Sequence, residues 1–399
     1  MRRGEGFGSG TRRAAVCIIA ALCALAASAL PTEADTIRSQ QWYLDAMHAD
    51  EMWSTSTGAD VTVAVIDSGV DATRSDLRGQ VLTGKDFSGR SGDPGADTDG
   101  HGTRMALFIA GTGKGEGAFG LAPGAKILPL RVGGVQNFKE QEAAITSAIR
   151  YAADSEAKVI NISMAGPEQF SGEVDAINYA LSKGKLVFAG VGNTGDKGNP
   201  VQYPAATRGV VGVAAVDRQI KAVPWSQRGP QVALAAPGAD MVAPCTDGTS
   251  GLCAGDGTSD ATALTSASAA LLWSAHPDWT ANQVLRVLIN TAGGPKSGEK
   301  RSDSIGYGVV RPRIALQNPG DPGPADVSPL PELAAAKPPA PGATGGGGDS
   351  VHRQAAEPEK DSDGLFSQRN VLAVGVATTV ILVAGASVLF TRRRRAFPK

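Results

Sequence analysis

The sequence predicts an α/β fold with a doubly wound, mostly parallel sheet. Short, continuous apolar runs are typical of parallel strands that are buried on both faces. Five such runs are Val61–Ile66, Ile127–Leu130, Val159–Ile162, Leu186–Ala189 and Val210–Val216. A helical pattern lies between the second and third of them, since the apolar residues of Glu140–Ala153 recur at three- and four-residue steps. Such alternation places a functional site at the carboxyl ends of the strands.

Composition and charge narrow the class of protein. The 399 residues carry a formal net charge of −1, which argues against a polyanionic partner such as nucleic acid. The chain has 51 glycines, and only 5% of its residues are aromatic. These values fit an α/β core of small residues with glycine turns and an added flexible segment.

Residues 1–29 have the pattern of a signal peptide. Arginines precede an apolar stretch, Ala14–Ala27, and Ala27-Ser28-Ala29 forms a small-x-small cleavage site. The alternative is a buried N-terminal helix, and the Arg12-Arg13 pair leaves both the Sec and Tat export routes open. A short N-terminal extension, residues 30–58, would follow the cleavage site.

A second apolar segment lies near the C terminus. Residues 371–390 carry no charge and, at about 1.5 Å per residue, are long enough to cross a hydrocarbon core of about 30 Å. The basic tail, 391–399, contains four consecutive arginines, and positive residues stay on the cytoplasmic side. We therefore expect a cell-membrane protein with one transmembrane helix, a cytoplasmic C terminus and an extracytoplasmic folded domain, 59–317. A Pro/Gly/Ala-rich linker, 318–368, would join the domain to the helix.

Cysteine usage agrees with export. Cys17 and Cys23 would leave with the signal peptide, so the mature chain keeps Cys245 and Cys253, eight positions apart. Outside the cytoplasm such a pair favours a disulfide. The alternative is a zinc pair, but no histidine lies nearby in the sequence to complete such a site.

Three polar residues stand at the ends of predicted elements, each in a glycine-containing block. Asp67 ends the first apolar run in Asp-Ser-Gly, His101 lies in Gly-His-Gly-Thr before an apolar helical stretch, and Ser259 ends Gly-Thr-Ser at the start of another. Taken singly, each block also fits a turn or a helix cap. Together they supply a hydroxyl nucleophile, an imidazole base and a carboxylate that orients the imidazole.

These blocks resemble the three signature blocks of the subtilisin-like serine proteases. The chain order Asp, His, Ser is that of subtilisin, whereas α/β-hydrolases run Ser, Asp, His and the chymotrypsin group runs His, Asp, Ser. The similarity covers about Val61 to Ala292. It implies a subtilisin-like fold and a serine endopeptidase with Asp67, His101 and Ser259 as its catalytic triad.

Two further segments resemble family blocks. The strand Leu186–Ala189 continues into Gly-Val-Gly-Asn, which is similar to the oxyanion block and implies Asn193 as an oxyanion donor; the alternative is a simple turn. The run Asn161–Gly166 resembles the segment whose backbone pairs with an extended substrate. A plain buried strand is the alternative there. The substrate-binding residues that this resemblance implies are Ser163, Met164, Ala165 and Gly166.

The blocks depart from the family pattern at two places. After His101 the family has a His or small residue, a Val and then Ala-Gly, whereas this chain has Arg104-Met105-Ala106-Leu107. After the serine, Asp260 follows directly, and Ala263 stands where the family has proline. A carboxylate beside the nucleophile is expected to raise the pKa of His101 or to repel acidic substrates.

The whole plan, with its signal peptide, short extension, protease domain, linker, single span and basic tail, resembles the mycosins. These actinobacterial proteases are associated with type VII secretion. The resemblance implies that the chain processes exported polypeptides and has secretion-complex subunits as possible partners. The main alternative is a weakly active or inactive scaffold of the same fold. An aspartic protease would need a second Asp-Thr/Ser-Gly block, and an adhesion module leaves the three blocks unexplained.

We expect neither an organic cofactor nor a catalytic metal, since the triad chemistry requires none. Asp76 and Asp86 are candidate ligands of a structural calcium ion. Solvated loop charges are the alternative interpretation of both.

Overall fold

The computed structural model describes residues 37–330, apart from the short gaps 90–92, 94–95, 98, 134–137 and 247–250. The predicted signal peptide, most of the predicted linker, the apolar segment 371–390 and the basic tail lie outside these residues. In the part of the chain that is described, no helix is long and apolar enough to span a bilayer.

The centre of the fold is a seven-stranded sheet in which every neighbouring pair is parallel. Its strands are β1 (Thr62–Asp67), β2 (Lys85–Asp86), β3 (Lys126–Arg131), β4 (Val159–Ile162), β5 (Leu186–Gly190), β6 (Val211–Val216) and β7 (Val232–Pro237). Their order across the sheet is β2-β3-β1-β4-β5-β6-β7. An antiparallel hairpin, β8 (Met241–Pro244) and β9 (Leu252–Gly255), forms a second small sheet. The predicted α/β class and parallel sheet are confirmed, and all five predicted runs are strands of it.

Helices connect and cover the strands. They are α1 (Ile37–Gln40), α2 (Trp42–Ala46), α3 (Ala49–Trp53), α4 (His101–Ala110), α5 (Phe138–Asp154), α6 (Ser171–Ser182), α7 (Thr258–Ala275), α8 (Ala281–Asn290) and α9 (Pro312–Gln317). The helix predicted over Glu140–Ala153 is the central part of α5.

Alternate residues of the strands contribute to two separate cores. On one face Val63 and Val65 of β1 belong to the core that includes α4 and α7. On the other face Ala64 and Ile66 belong to the core that includes α5 and α6. Side chains of successive strand residues point to opposite faces. Because both faces are covered, the strands are apolar throughout, and the prediction of a doubly wound sheet holds.

The strand order creates a crevice at the carboxyl end of β1. After β1 the chain crosses to one side to form β2 and β3, and then to the other side to form β4 through β7. In open α/β sheets, ligands bind at such a switch point, outside the carboxyl ends of the strands. Asp67 is the last residue of β1 and therefore lies at this crevice.

The packed part of the chain extends beyond the predicted start of the linker at Asn318. The guanidinium of Arg286, on α8, donates to the backbone carbonyls of Pro322, Pro324 and Val327. Leu330 is buried in the core that contains α8. Residues 318–330 thus pack against the domain, because one arginine can satisfy several carbonyls of an irregular segment.

Candidate active site

Asp67 and His101 are brought into direct contact. His101 is the first residue of α4, and its Nδ1 lies 2.8 Å from Oδ1 of Asp67. The same carboxylate oxygen accepts the Ser68 backbone N–H at 2.8 Å. Asp67 is buried, and its other oxygen, Oδ2, has no hydrogen-bond partner among the described residues. A carboxylate held in this way orients an imidazole and stabilises its protonated form.

Gly102 allows α4 to approach β1 this closely. A Cβ atom at this position would lie 2.1 Å from the Gly69 carbonyl oxygen and 3.0 Å from the Asp67 Cβ. Real Cβ atoms do not tolerate the first distance, so any larger residue would push the helix away. The second glycine of the Gly-His-Gly block is therefore required by the close packing of α4 on β1.

The electrostatic surroundings favour the imidazolium form of His101. The neighbouring Asp67 carboxylate is the main cause, and it raises the pKa of His101 to about 9 against the opposing effect of burial. The carboxylates of Asp260 and Asp99 act in the same direction. Because a general base must be neutral, an imidazole in this environment would act as a base only at alkaline pH.

Ser259 lies at the N-terminal end of α7. From Thr258 to Trp273 every residue of this helix except Ser259 is buried, so the serine is the position that opens to the crevice. Its hydroxyl donates to the Ser163 backbone carbonyl at 3.3 Å. Among the described residues, the Ser259 hydroxyl thus forms its hydrogen bond with Ser163 and not with His101. The helix N-terminus adds positive potential where an oxyanion would form.

Thr258 holds Asn193 in one orientation. The Asn193 side-chain oxygen accepts both the Thr258 N–H and the Thr258 hydroxyl, each at 2.9 Å. With the oxygen occupied in this way, the amide nitrogen is the atom left to donate to a ligand. The sequence prediction did not identify Thr258 as a functional residue, although it belongs to the Gly-Thr-Ser block.

Five of the predicted site residues share one cavity of about 210 Å³. They are Ser163, Met164, Ala165, Asn193 and Ser259. The cavity therefore brings together the predicted nucleophile, the predicted oxyanion donor and three residues of the predicted substrate segment.

Gly166 differs from the other predicted substrate-binding residues. Its N–H and carbonyl form hydrogen bonds of 2.9 and 2.8 Å with the backbone of Tyr203. The Gly166 N–H is therefore not available to a substrate peptide. Gly166, with Met164 and Ala165, lines a second cavity of about 120 Å³ that also includes Glu173. Burial raises the pKa of Glu173 to about 7.

The two departures from the family pattern occur together. Asp260 is 3% exposed and pairs with Arg104 at 3.4 Å, so its carboxylate does not face a substrate. The expectation that it repels acidic substrates is wrong, because the side chain is turned into the protein. Its effect on His101 has the expected direction, since it raises the pKa.

The structure contains the disulfide between Cys245 and Cys253, which closes the β8–β9 hairpin. The zinc alternative is therefore wrong. The candidate calcium ligands are paired with arginines: Asp76 with Arg74, and Asp86 with Arg131. Within the described ranges, no group of three or more His, Cys, Asp or Glu side chains is arranged to hold a metal ion.

Comparison with known proteins agrees with this geometry. A sequence model of the Subtilase family matches residues 58–308. Subtilisin E of Bacillus subtilis is 35% identical over 238 residues, which are 59% of this chain and 61% of the relative. Thermitase of Thermoactinomyces vulgaris is 34% identical over 256 residues, which are 64% of this chain and 88% of the relative. The chain thus spans about three fifths of the length of subtilisin E.

Solved structures show the same fold. The crystal structure of MycP1 from Mycobacterium smegmatis matches with a TM-score of 0.63 and 28% identity, covering 72% of this chain and 86% of that one. The MycP3 protease from the type VII (ESX-3) secretion system matches with a TM-score of 0.61 and 31% identity, covering 69% and 87%.

Proposed function

Because the chain belongs to the Subtilase family, we propose that it is a serine endopeptidase with Asp67, His101 and Ser259 as its triad. The observation that carries the proposal is the 2.8 Å contact between His101 and Asp67 at the carboxyl end of β1. Ser259 and Asn193 line one cavity, and α7, which carries Ser259, packs against α4, which carries His101. An aspartate-held imidazole beside a serine and an amide donor is the arrangement that acyl transfer requires.

The proposed reaction uses each group once. His101 removes the proton of the Ser259 hydroxyl, which attacks the scissile carbonyl, and later gives the proton to the leaving amine. Asp67 keeps the imidazole in the required tautomer and stabilises its charge. The tetrahedral oxyanion accepts hydrogen bonds from the Asn193 amide and the Ser259 backbone N–H. One such donor is worth about 3 kcal/mol in subtilisin itself.

Hydrolysis of a fluorogenic peptide library by the purified full-length protein tests the activity. The proposal predicts turnover that Ser259→Ala abolishes and that Ser268→Ala leaves intact. Ser268 is the matched control, because it lies in the same helix and donates to the Leu264 carbonyl, away from the cavity. Equal rates for wild type and Ser259→Ala would leave the inactive scaffold as the better description.

We further propose that the protease is anchored in the cell membrane, with its catalytic domain outside and its C terminus in the cytoplasm. The charge pattern around residues 371–390 and the disulfide between Cys245 and Cys253 support this topology. The similarity to MycP1 and MycP3 supports a role in processing polypeptides exported by type VII secretion and an association with that complex.

Topology and role are tested in cells. A protease added to intact protoplasts should digest the catalytic domain and leave an epitope fused after Lys399 protected. Secreted proteins from cells that carry Ser259→Ala should keep a segment that wild-type cells remove. A protected catalytic domain would contradict the topology, and identical secreted proteins would contradict the processing role.

A further inference from the structure

A buried ion pair connects the two helices that carry the catalytic groups. Arg104 lies on α4, one turn after His101, and Asp260 lies on α7, directly after Ser259. The guanidinium Nε of Arg104 lies 3.4 Å from Oδ1 of Asp260, and Nη2 lies 3.4 Å from Oδ2. The two side chains are 13% and 5% exposed. The pair therefore joins the first turns of both helices, close to the imidazole and the hydroxyl.

Arg104 uses the rest of its guanidinium as well. Nη1 donates to the Cys253 carbonyl at 3.2 Å, and Nη2 donates to the Met241 carbonyl at 2.8 Å. The guanidinium carbon also lies 4.9 Å from the centre of the Phe108 ring. Arg104 is thus fixed by the disulfide-closed β8–β9 hairpin and by its own helix. A lysine would keep the charge but would lose this planar, forked set of bonds.

Neither residue lines the cavity that contains Ser259 and Asn193. The buried carboxylate carries a cost, because burial disfavours its charged form and raises the pKa of Asp260, while Arg104 opposes the shift. If either partner is removed, the other is left buried without its counter-charge, which is strongly unfavourable. A pair placed at this point acts on the geometry between the helices rather than on the substrate.

We propose that Arg104 and Asp260 are positioning residues that hold α4 against α7 and thereby set the position of His101 relative to Ser259. The proposal rests on the proposed serine endopeptidase function. The two departures from the family blocks are then one feature, because the charge of Arg104 on α4 is balanced by that of Asp260 on α7.

The charged groups around His101 come from three elements. Asp67 lies on β1, Asp99 precedes α4, and Asp260 lies on α7; all three raise the pKa of the imidazole. The pKa of Asp260 is in turn raised by burial and by the Asp256 charge and lowered by Arg104. Asp260→Asn removes one of the three carboxylates and leaves the Arg104 charge uncompensated. Both changes act against the imidazolium, so the titration midpoint of His101 should fall.

The first measurement is steady-state hydrolysis by the full-length protein carrying Arg104→Gln, Asp260→Asn or both changes. At a pH above the titration midpoint of His101, we expect each single variant to lower kcat about tenfold or more with little change in KM, because a small misplacement of reacting groups affects the chemical step. The double variant, with neither charge left unpaired, should have a higher kcat than either single variant. Arg104→Lys should keep the wild-type pH midpoint while kcat stays low.

Arg74→Gln is the matched control. It breaks the pair with buried Asp76 and a contact to the Cys245 carbonyl of the same hairpin region, but it touches neither catalytic helix. It should lower the melting temperature without lowering kcat. If the Arg104 and Asp260 variants lose only melting temperature and keep kcat within about twofold of wild type, the pair is merely structural and the proposal is overturned. If a single variant does not fold, the double variant is measured instead. A folded double variant with wild-type kcat likewise overturns the proposal.

The second measurement does not depend on turnover. Proton NMR of the histidine rings, with His101 assigned from a His101→Gln variant, gives its titration midpoint directly. A lower midpoint in Asp260→Asn than in wild type and Arg74→Gln supports the proposal, and an unchanged midpoint contradicts it. If the wild-type protein cleaves no peptide but Asp260→Asn still lowers the midpoint of His101, the proposed function is refuted. The effect of the pair on His101 is then still supported.

Discussion

At the scale of single residues, the chemistry depends on the environment of His101. The Asp67 carboxylate lies 2.8 Å from its Nδ1, and three nearby carboxylates favour the protonated ring. A protonated imidazole cannot remove the serine proton. In the proposed mechanism, the contact that orients the His101 imidazole therefore also determines the pH at which it acts as a base.

The pH dependence of hydrolysis follows from this environment. A raised pKa keeps the imidazole protonated at neutral pH, so kcat/KM should increase with pH through a midpoint near 9, well above the ordinary value of 6.5. Asp99→Asn, which removes an outer carboxylate, should lower the midpoint slightly. Asp67→Asn should lower it further and reduce kcat about 10⁴-fold. A midpoint at or below 6.5 in the wild type would contradict the account.

Asn193 offers a second test at this scale. Asn193→Ala should lower kcat about 10²- to 10³-fold with a small change in KM, because an oxyanion donor acts mainly in the transition state. Thr258→Val removes the hydroxyl bond to Asn193 but keeps the backbone N–H bond, so a smaller loss is expected. A rise in KM at constant kcat in Asn193→Ala would assign this residue to substrate binding instead.

The site was predictable from the sequence only in part. Asp67 was identifiable because it follows an apolar run, and His101 and Ser259 because each precedes an apolar helical stretch; all three lie in short glycine blocks. The contact between Arg104 and Asp260 was not, since the two residues are 156 positions apart and only the fold makes them neighbours. Each looked unfavourable alone because its counter-charge was not known.

At the scale of elements, close packing between α4 and β1 positions the imidazole. This packing depends on Gly102, the second residue of α4, above the Gly69 carbonyl. The strands themselves were predictable where larger apolar residues such as valine, isoleucine, leucine and phenylalanine form short continuous runs. Strand β7, Val232–Pro237, was missed: half of its residues are alanine, it ends in proline, and its burial comes from tertiary packing.

Gly102→Ala tests this packing. The added methyl must displace α4, so kcat/KM should fall about 100-fold, the effect expected from a shift of about 1 Å in a reacting group. Gly172→Ala is the matched control, because Gly172 is also the second residue of its helix, α6. Its Cβ would meet the flexible end of Glu142 at 3.2 Å. Similar activity losses in both variants would show that the position of Gly102 has no special importance.

At the scale of the whole molecule, segments outside the predicted domain are packed against it. Tyr43, in the N-terminal extension, is fully buried and contacts the Phe108 ring, and residues 318–330 lie against α8. The sequence did not predict this. Pro- and Gly-rich segments have little apolar surface of their own, and here arginine bonds to backbone carbonyls replace it.

Limited proteolysis tests the packing of the C-terminal segment. Arg286→Ala removes the bonds to three carbonyls, so thermolysin should cut near Val327 and Leu330 roughly tenfold faster, while peptide hydrolysis stays at the wild-type rate. The exposed Arg78, changed to Ala, is the control and should leave the rate of cutting unchanged. Equal resistance of Arg286→Ala and wild type would show that other contacts hold the segment.

The central claim is that Ser259 is a nucleophile activated by His101 and Asp67. Reaction of the full-length protein with a fluorophosphonate, followed by mass mapping of the modified peptide, tests it most directly. The account predicts one label per chain, on Ser259, at a rate that increases with pH, and no label in His101→Ala. An unlabelled wild-type protein, or a label on another serine, would contradict it.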